Sequence, residues 1–90
     1  MSYVSGRLYS GQLAGLTTTP VPLSTTHPNI REILIQSSPS NAVNVLVGTV
    51  QGQYLVLTPG QGITVPIISP SLIYVAAASS TVTVNWLARD

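Results

Sequence analysis

The chain has 90 residues, no cysteine and no lysine, and only 6% of its residues are charged. That is far below the roughly 25% of an ordinary soluble domain. The missing cysteines exclude disulfides and thiol chemistry, so a core this small is expected to gain stability by oligomerisation or by docking on a partner. A near-neutral surface also lets identical copies pack closely without electrostatic repulsion, so the composition favours a protein that is a subunit of an assembly.

The chain is expected to be made and used in a cytoplasm, without a membrane span or a secretory signal. Its longest uninterrupted apolar stretch is Leu72–Ala78, far short of the roughly 20 residues that a spanning helix needs. The first seven residues lack a basic flank followed by an apolar run.

Residues 1–28 are predicted to be extended and to differ from the rest. Arg7–Leu13 has the pattern of a strand, and Pro20 and Pro22 favour extended backbone in the segment that follows. Two interpretations are open: an edge strand with a long loop on the same domain, or an arm that lies on a neighbouring subunit by strand addition. For the arm, the predicted interface residues are Arg7, Tyr9, Thr19, Pro20, Val21 and Pro22.

Residues 29–90 are predicted to form the β-sandwich core, because apolar residues alternate along short segments separated by turn signals. A proline within such a segment cannot donate to a neighbouring strand, so Pro66 predicts an edge strand or a bulge. Regular spacing without helical periodicity indicates an all-β sandwich or small barrel. The predicted strands are Ile30–Gln36, Val43–Val50, Tyr54–Leu57, Ile63–Ile68, Leu72–Ala78 and Thr81–Ala88.

Trp86 is predicted to anchor the core. It alternates with polar residues in the last predicted strand and shares one face with Val82, Val84 and Ala88. A tryptophan on the apolar face of a strand is most simply a packing residue.

The sequence predicts no catalysis, no cofactor and no metal site. His27 is the only histidine, Glu32 and Asp90 are the only acids, and Asp90 ends the given sequence. A nucleophile needs an oriented base beside it, and a metal site needs several ligands. Gly60 and Gly62 are explained by a turn between strands, since a phosphate loop would also need a following helix.

Nucleic-acid binding is not expected either. It requires a basic stripe, and three scattered arginines do not form one. The tyrosines could stack on bases, but without positive charge such a surface would bind weakly. Contact with other proteins is therefore the predicted activity.

From about Asn29 onward the chain resembles small bacteriophage virion proteins of the head decoration or cement type. The resemblance covers roughly two-thirds of the chain and consists of turn and core motifs, so it bears more on the fold than on the role. The motifs are Ile33-Leu34-Ile35-Gln36, Pro39-Ser40-Asn41, Val45-Leu46-Val47-Gly48, Leu57-Thr58-Pro59-Gly60, Ile63-Thr64-Val65-Pro66, Ile73-Tyr74-Val75 and Val82-Thr83-Val84-Asn85-Trp86.

The resemblance implies a β-sandwich or jelly-roll-like module of about six to eight antiparallel strands, present in many copies on the capsid surface of a virion. The implied partners are the major capsid protein and further copies of the chain, typically as a homotrimer. No catalytic residue is implied. Two alternatives stay open: a phage tail, neck or fibre module, and a β-sandwich that binds carbohydrate or a host receptor.

Overall fold

Eight strands form nearly all of the regular structure in the computed structural model, which describes residues 8–25, 30–67 and 69–89. A single turn of 3-10 helix, Pro70–Leu72, precedes the seventh strand. The strands are β1 (Leu8–Leu16), β2 (Val21–Pro22), β3 (Glu32–Ser37), β4 (Val45–Thr49), β5 (Gly52–Leu57), β6 (Gly62–Pro66), β7 (Tyr74–Ala77) and β8 (Val82–Arg89).

The strands pair in a nested order. β1 pairs with β8, β2 with β7, β3 with β6 and β4 with β5, all antiparallel. Such nesting describes one long hairpin, and further pairing of β3 with β8 and of β4 with β7 rolls it into two sheets. The first sheet has the order β1-β8-β3-β6 and the second has β2-β7-β4-β5. This is a jelly roll, and it confirms the predicted all-β class.

The core lies between the two sheets and follows the alternation of the sequence. Val82, Val84, Trp86 and Ala88 of β8 are all buried, with at most 5% exposure. Trp86 is therefore a core residue, as the pattern predicts. The buried apolar cluster consists of Leu16, Leu23, Ile30, Ile33, Ile35, Val45, Val47, Leu57, Ile73, Val75, Ala77, Val82, Val84, Trp86 and Ala88.

The strand predicted over Leu72–Ala78 is wrong at its start, because the chain makes a 3-10 turn there and β7 begins at Tyr74. The Ser69 side chain accepts a hydrogen bond from the Ser71 backbone N–H, and Pro70 suits the first turn of a helix. Leu72 is consequently exposed and does not belong to a strand face.

Other boundaries differ by a few residues. β5 begins at Gly52, two residues before the predicted start, and β1 continues past Leu13 to Leu16. The extension of β1 contains an irregularity in which Gly15 adopts a positive φ of 68°, a conformation that favours glycine. β6 is an edge strand of the first sheet, as Pro66 predicts.

The described part of residues 1–28 lies within the two sheets. β1 is an edge strand of the first sheet and β2 an edge strand of the second, while Leu16 and Leu23 belong to the core. A contact of this region with a neighbouring subunit stays a prediction. Across the described ranges, no helix has the length and apolar character needed to cross a membrane.

Candidate functional site

The outer face of the first sheet carries exposed leucines at its centre. Leu87 of β8 lies directly opposite Leu34 of β3, and both point away from the core because their neighbours along each strand are buried. Leu87 is 45% exposed and Leu34 is 42% exposed. Leu8, near the start of the edge strand β1, is 71% exposed. We call the surface around Leu8, Leu34 and Leu87 the leucine face.

A row of amide side chains borders the leucine face on one side. Strand register places Gln12, Asn85 and Gln36 side by side across β1, β8 and β3, and continues the row to Gly62 of β6. The Gln12 amide nitrogen donates a hydrogen bond of 2.8 Å to Asn85 Oδ1. These groups offer hydrogen-bond donors and acceptors without charge.

An ion pair borders the leucine face on the other side. Arg89 of β8 and Glu32 of β3 are register partners, and Arg89 Nε donates to Glu32 Oε1 at 2.6 Å. Both side chains are well exposed, so the pair contributes little to stability. Among the outward-facing positions of the four strands they are the only charged side chains. Within the four described strands, the leucine face therefore carries no net charge.

Two shallow hollows flank the Leu34–Leu87 pair. The hollow on the amide side has a volume of about 220 Å³ and is lined by Gln36, Gly62 and Asn85. It lies where Gly62 has no side chain to extend the row. The hollow on the ion-pair side has a volume of about 140 Å³. The two leucines thus form a low ridge between two depressions, a shape that another protein surface can match.

The described members of the predicted interface set do not belong to the leucine face. Tyr9 is half-buried and packs against the core. Thr19 and Pro20 are exposed in the connection between β1 and β2. Arg7 lies outside the described residues.

The last two predicted interface residues form β2 and pair with β7: Val21 with Val75, and Pro22 with Tyr74. Val21 also packs against the core. The fold therefore already uses part of this set, and its role in contacts with other subunits stays a prediction.

Sequence reasoning missed the leucine face, although a signal was present. The predicted alternation places Leu34 on the strand face opposite Ile33 and Ile35, where a polar residue is expected. Leu87 likewise falls between the core residues Trp86 and Ala88. Single exposed leucines are ordinary, and only a contiguous apolar patch points to a binding surface. Strand pairing is needed to bring these two together.

The residues weighed for chemistry are not assembled within the described ranges. In the described ranges, no three His, Cys, Asp or Glu residues come together in a way that could hold a metal ion. His27 and Asp90, the histidine and one of the two acids of the sequence, lie outside those ranges.

Comparisons with known proteins do not assign a family. No protein-family model matches the chain, and no curated protein matches it in sequence.

Proposed function

We propose that this protein is a structural virion component, a decoration or cement protein that binds major capsid protein subunits through its leucine face and stabilises the phage head. The observation that carries the proposal is the leucine face itself, a neutral apolar centre with a polar border. Stable interfaces have this composition, with charge depleted at the centre.

The energetics of the leucine face suit a role that depends on many copies. Completing the burial of a half-exposed leucine contributes on the order of 1 kcal/mol, since full burial contributes about 1.5–3 kcal/mol. Three such residues support only modest affinity for each copy. A protein that binds the assembled shell and not its free subunits stabilises the shell by mass action, and many bridging contacts add avidity.

The fold agrees with this role without assigning it. Jelly rolls recur in viral capsid proteins and in lectins, so fold alone separates neither from the other. The resemblance of residues 29–90 to head decoration proteins favours the capsid. The low charge favours it too, because many copies can then lie close together on one surface.

The test uses phage heads from which this protein has been stripped. Purified protein is added back, and the amount that sediments with the heads is measured. Leu87→Asp places a charge at the centre of the leucine face, and we expect at least tenfold weaker binding. Leu72→Asp is the matched control because Leu72 is 49% exposed, close to the 45% of Leu87, but lies outside the first sheet. Equal binding by both variants would contradict the proposed face.

Salt dependence provides a second, independent test. The leucine face is neutral, so raising the salt concentration from about 0.05 to 0.5 M is expected to change its binding less than threefold, whereas contacts between net-charged surfaces weaken as salt screens them. A loss of binding over that range would contradict an apolar contact.

The number of copies of this protein in each phage particle distinguishes a head location from a tail, neck or fibre location. Quantitative mass spectrometry of purified particles is expected to find hundreds of copies, as a head surface requires. A handful of copies would favour the tail alternative and reject the head.

Carbohydrate binding is the second candidate, favoured by the amide row beside the larger hollow. Amides recognise hydroxyl groups, but about 220 Å³ is small against the roughly 300–1,000 Å³ of ligand pockets. We expect no glycan-array signal from the purified protein. A specific signal abolished by Asn85→Ala would favour this candidate instead.

A further inference from the structure

β5 differs from the other edge strands in the apolar side chains that it leaves exposed. The jelly roll leaves four edges: β1 and β6 in the first sheet, β2 and β5 in the second. Proteins usually protect such edges with prolines, charges, bulges or short length. β2 has only two residues and includes a proline, and β6 ends in Pro66. β5 has six residues and β1 has nine, and neither contains a proline or a charge. Each of the two strands has one register irregularity, which in β5 falls between Gly52 and Leu55 and leaves Leu55–Leu57 regularly paired with β4.

Leu55 shows that the sandwich is open along β5. Its register partner is Val47, which is 2% exposed and lies in the core, so Leu55 is on the core side of its strand. Leu57, two residues later on the same side, is 1% exposed. Leu55 is nevertheless 57% exposed. A core-side leucine that the described chain leaves uncovered marks a place where further packing fits.

The outer face of β5 is apolar as well. Val56, which points away from the core next to Leu55, is 49% exposed. On the edge strand β1, by contrast, the core-side residues Tyr9 and Leu13 pack against the core. Compared with β1, β5 is thus the edge strand whose core-side leucine lacks cover among the described residues.

We propose that β5 pairs antiparallel with β5 of a second copy of this chain across a two-fold axis, which joins the second sheets of the two copies. The identity of the partner follows from the strand itself. Two identical strands meet antiparallel about a two-fold axis with the same contacts on both sides. Because β5 has no charged residue, this pairing opposes no like charges.

The size of the contact sets its strength. Six residues at about 3.3 Å each make a strand about 20 Å long. A contact about 20 Å wide along the sandwich edge then covers on the order of 400 Å² per copy, about half the roughly 800 Å² of a standard interface. The pair is therefore a weak, reversible dimer that forms at high concentration or on a crowded surface. It also closes at two copies, in place of the homotrimer that the resemblance implies.

The inference does not depend on the proposed function, because purified protein tests it directly. Sedimentation of the 9.4 kDa chain from about 10 µM to 1 mM is expected to show a shift from monomer to dimer. Leu55→Lys and Leu55→Glu should each weaken the dimer at least tenfold. Mixing these two variants should restore it, because Lys and Glu then meet near the axis.

Leu87→Lys is the matched control, since it adds the same charge at a leucine of comparable exposure on the leucine face. It should leave the dimer unchanged. If Leu87→Lys removes the dimer and Leu55→Lys does not, the leucine face is the self-association surface and the inference is wrong. A trimer, or a monomer up to 1 mM, would also overturn it.

Hydrogen exchange of the unaltered chain keeps the inference testable if the Leu55 variants fail to fold. Amides of β5 that face the free edge should gain at least tenfold protection between about 10 µM and 1 mM protein, while those of β1 should not. Protection gained in β1 instead, or in neither strand, would contradict β5 pairing.

Discussion

Gly11 makes room for the indole of Trp86. The two residues are direct partners across β1 and β8, and a Cβ added at Gly11 would lie 2.6 Å from Cε2 and 2.7 Å from Nε1 of the indole. No carbon atom approaches a ring that closely. Since Trp86 is 5% exposed and confined by the core, the ring cannot move aside without disturbing its neighbours.

We therefore expect Gly11→Ala to lower the free energy of unfolding by about 1–3 kcal/mol, the usual cost of overpacking a core. Urea denaturation followed by Trp86 fluorescence measures this change. The control is Ser10→Ala, at the adjacent exposed position of the same strand, which should stay within about 0.5 kcal/mol of the parent. Equal stability of both variants would show that the indole has room to shift.

Asn41 ties the loop after β3 to the start of β8. Its amide nitrogen donates to Ser37 Oγ at 3.0 Å and to the Thr83 carbonyl at 2.8 Å, and its Oδ1 accepts from the Thr83 backbone N–H at 2.8 Å. Ser37 is fully buried. This one side chain therefore satisfies the buried hydroxyl of Ser37 and both backbone polar groups of Thr83, which lies 42 positions further along the chain than Asn41.

Asn41→Ala is expected to lower the free energy of unfolding by about 1–3 kcal/mol, because buried polar groups lose partners. Asn85→Ala also removes an amide hydrogen bond, to Gln12, but an exposed one, and should cost no more than about 0.5 kcal/mol. Thermal or urea denaturation compares the two. An equal loss in both variants would contradict a special role for Asn41.

Among the elements, central strands should be more sensitive than edge strands. Ile35 of β3 and Ile63 of β6 are register partners of the same residue type. Ile35 is fully buried between two neighbouring strands, whereas Ile63 is half-buried on the edge. The pair separates the effect of position in the sheet from that of residue chemistry.

Ile35→Ala is expected to cost about 2–5 kcal/mol, as for a fully buried isoleucine. Ile63→Ala should cost about half as much or less, because solvent already reaches the side chain and no closed cavity forms. Denaturant midpoints at a constant slope measure both values. A larger loss at Ile63 would mean that the β6 edge is more deeply packed than its exposure shows.

At the scale of the whole molecule, nesting makes folding depend on distant contacts. β1 must find β8 at the other end of the chain, and β2 must find β7. The turn between β4 and β5 is the one local starting point of the nested hairpin. Proteins dominated by such non-local pairing fold slowly, since loop-closure entropy opposes the early contacts.

We therefore expect refolding in milliseconds to seconds, the range of all-β domains with similar topology. Stopped-flow dilution from urea, followed by Trp86 fluorescence at a low protein concentration that keeps the chain monomeric, measures the rate. Relaxation in microseconds would contradict folding limited by the outer strand pairs.

The strands and the core side of most of them were predictable from the sequence, because both depend on neighbouring residues. Alternation in β8 identifies Val84 and Trp86 as buried whatever β8 pairs with, and the missing N–H of Pro66 limits β6 to an edge or a bulge, of which the structure has the edge. A turn at Ser69–Ser71 was predicted, but its continuation through Leu72 as a 3-10 helix was not, since Ser69 and Ser71 satisfy the backbone locally in competition with a strand.

Only the tertiary structure decided which distant residues meet, and with them the candidate surfaces. Leu34 and Leu87 form one ridge because β3 lies beside β8, and Leu55 is uncovered although Leu57, on the same side of the edge strand β5, is buried. Alternation tells which side of a strand is apolar, but neighbouring strands are selected by the packing of the whole chain. Local sterics act over a few residues, whereas strand order follows from burying both sheets against each other at once.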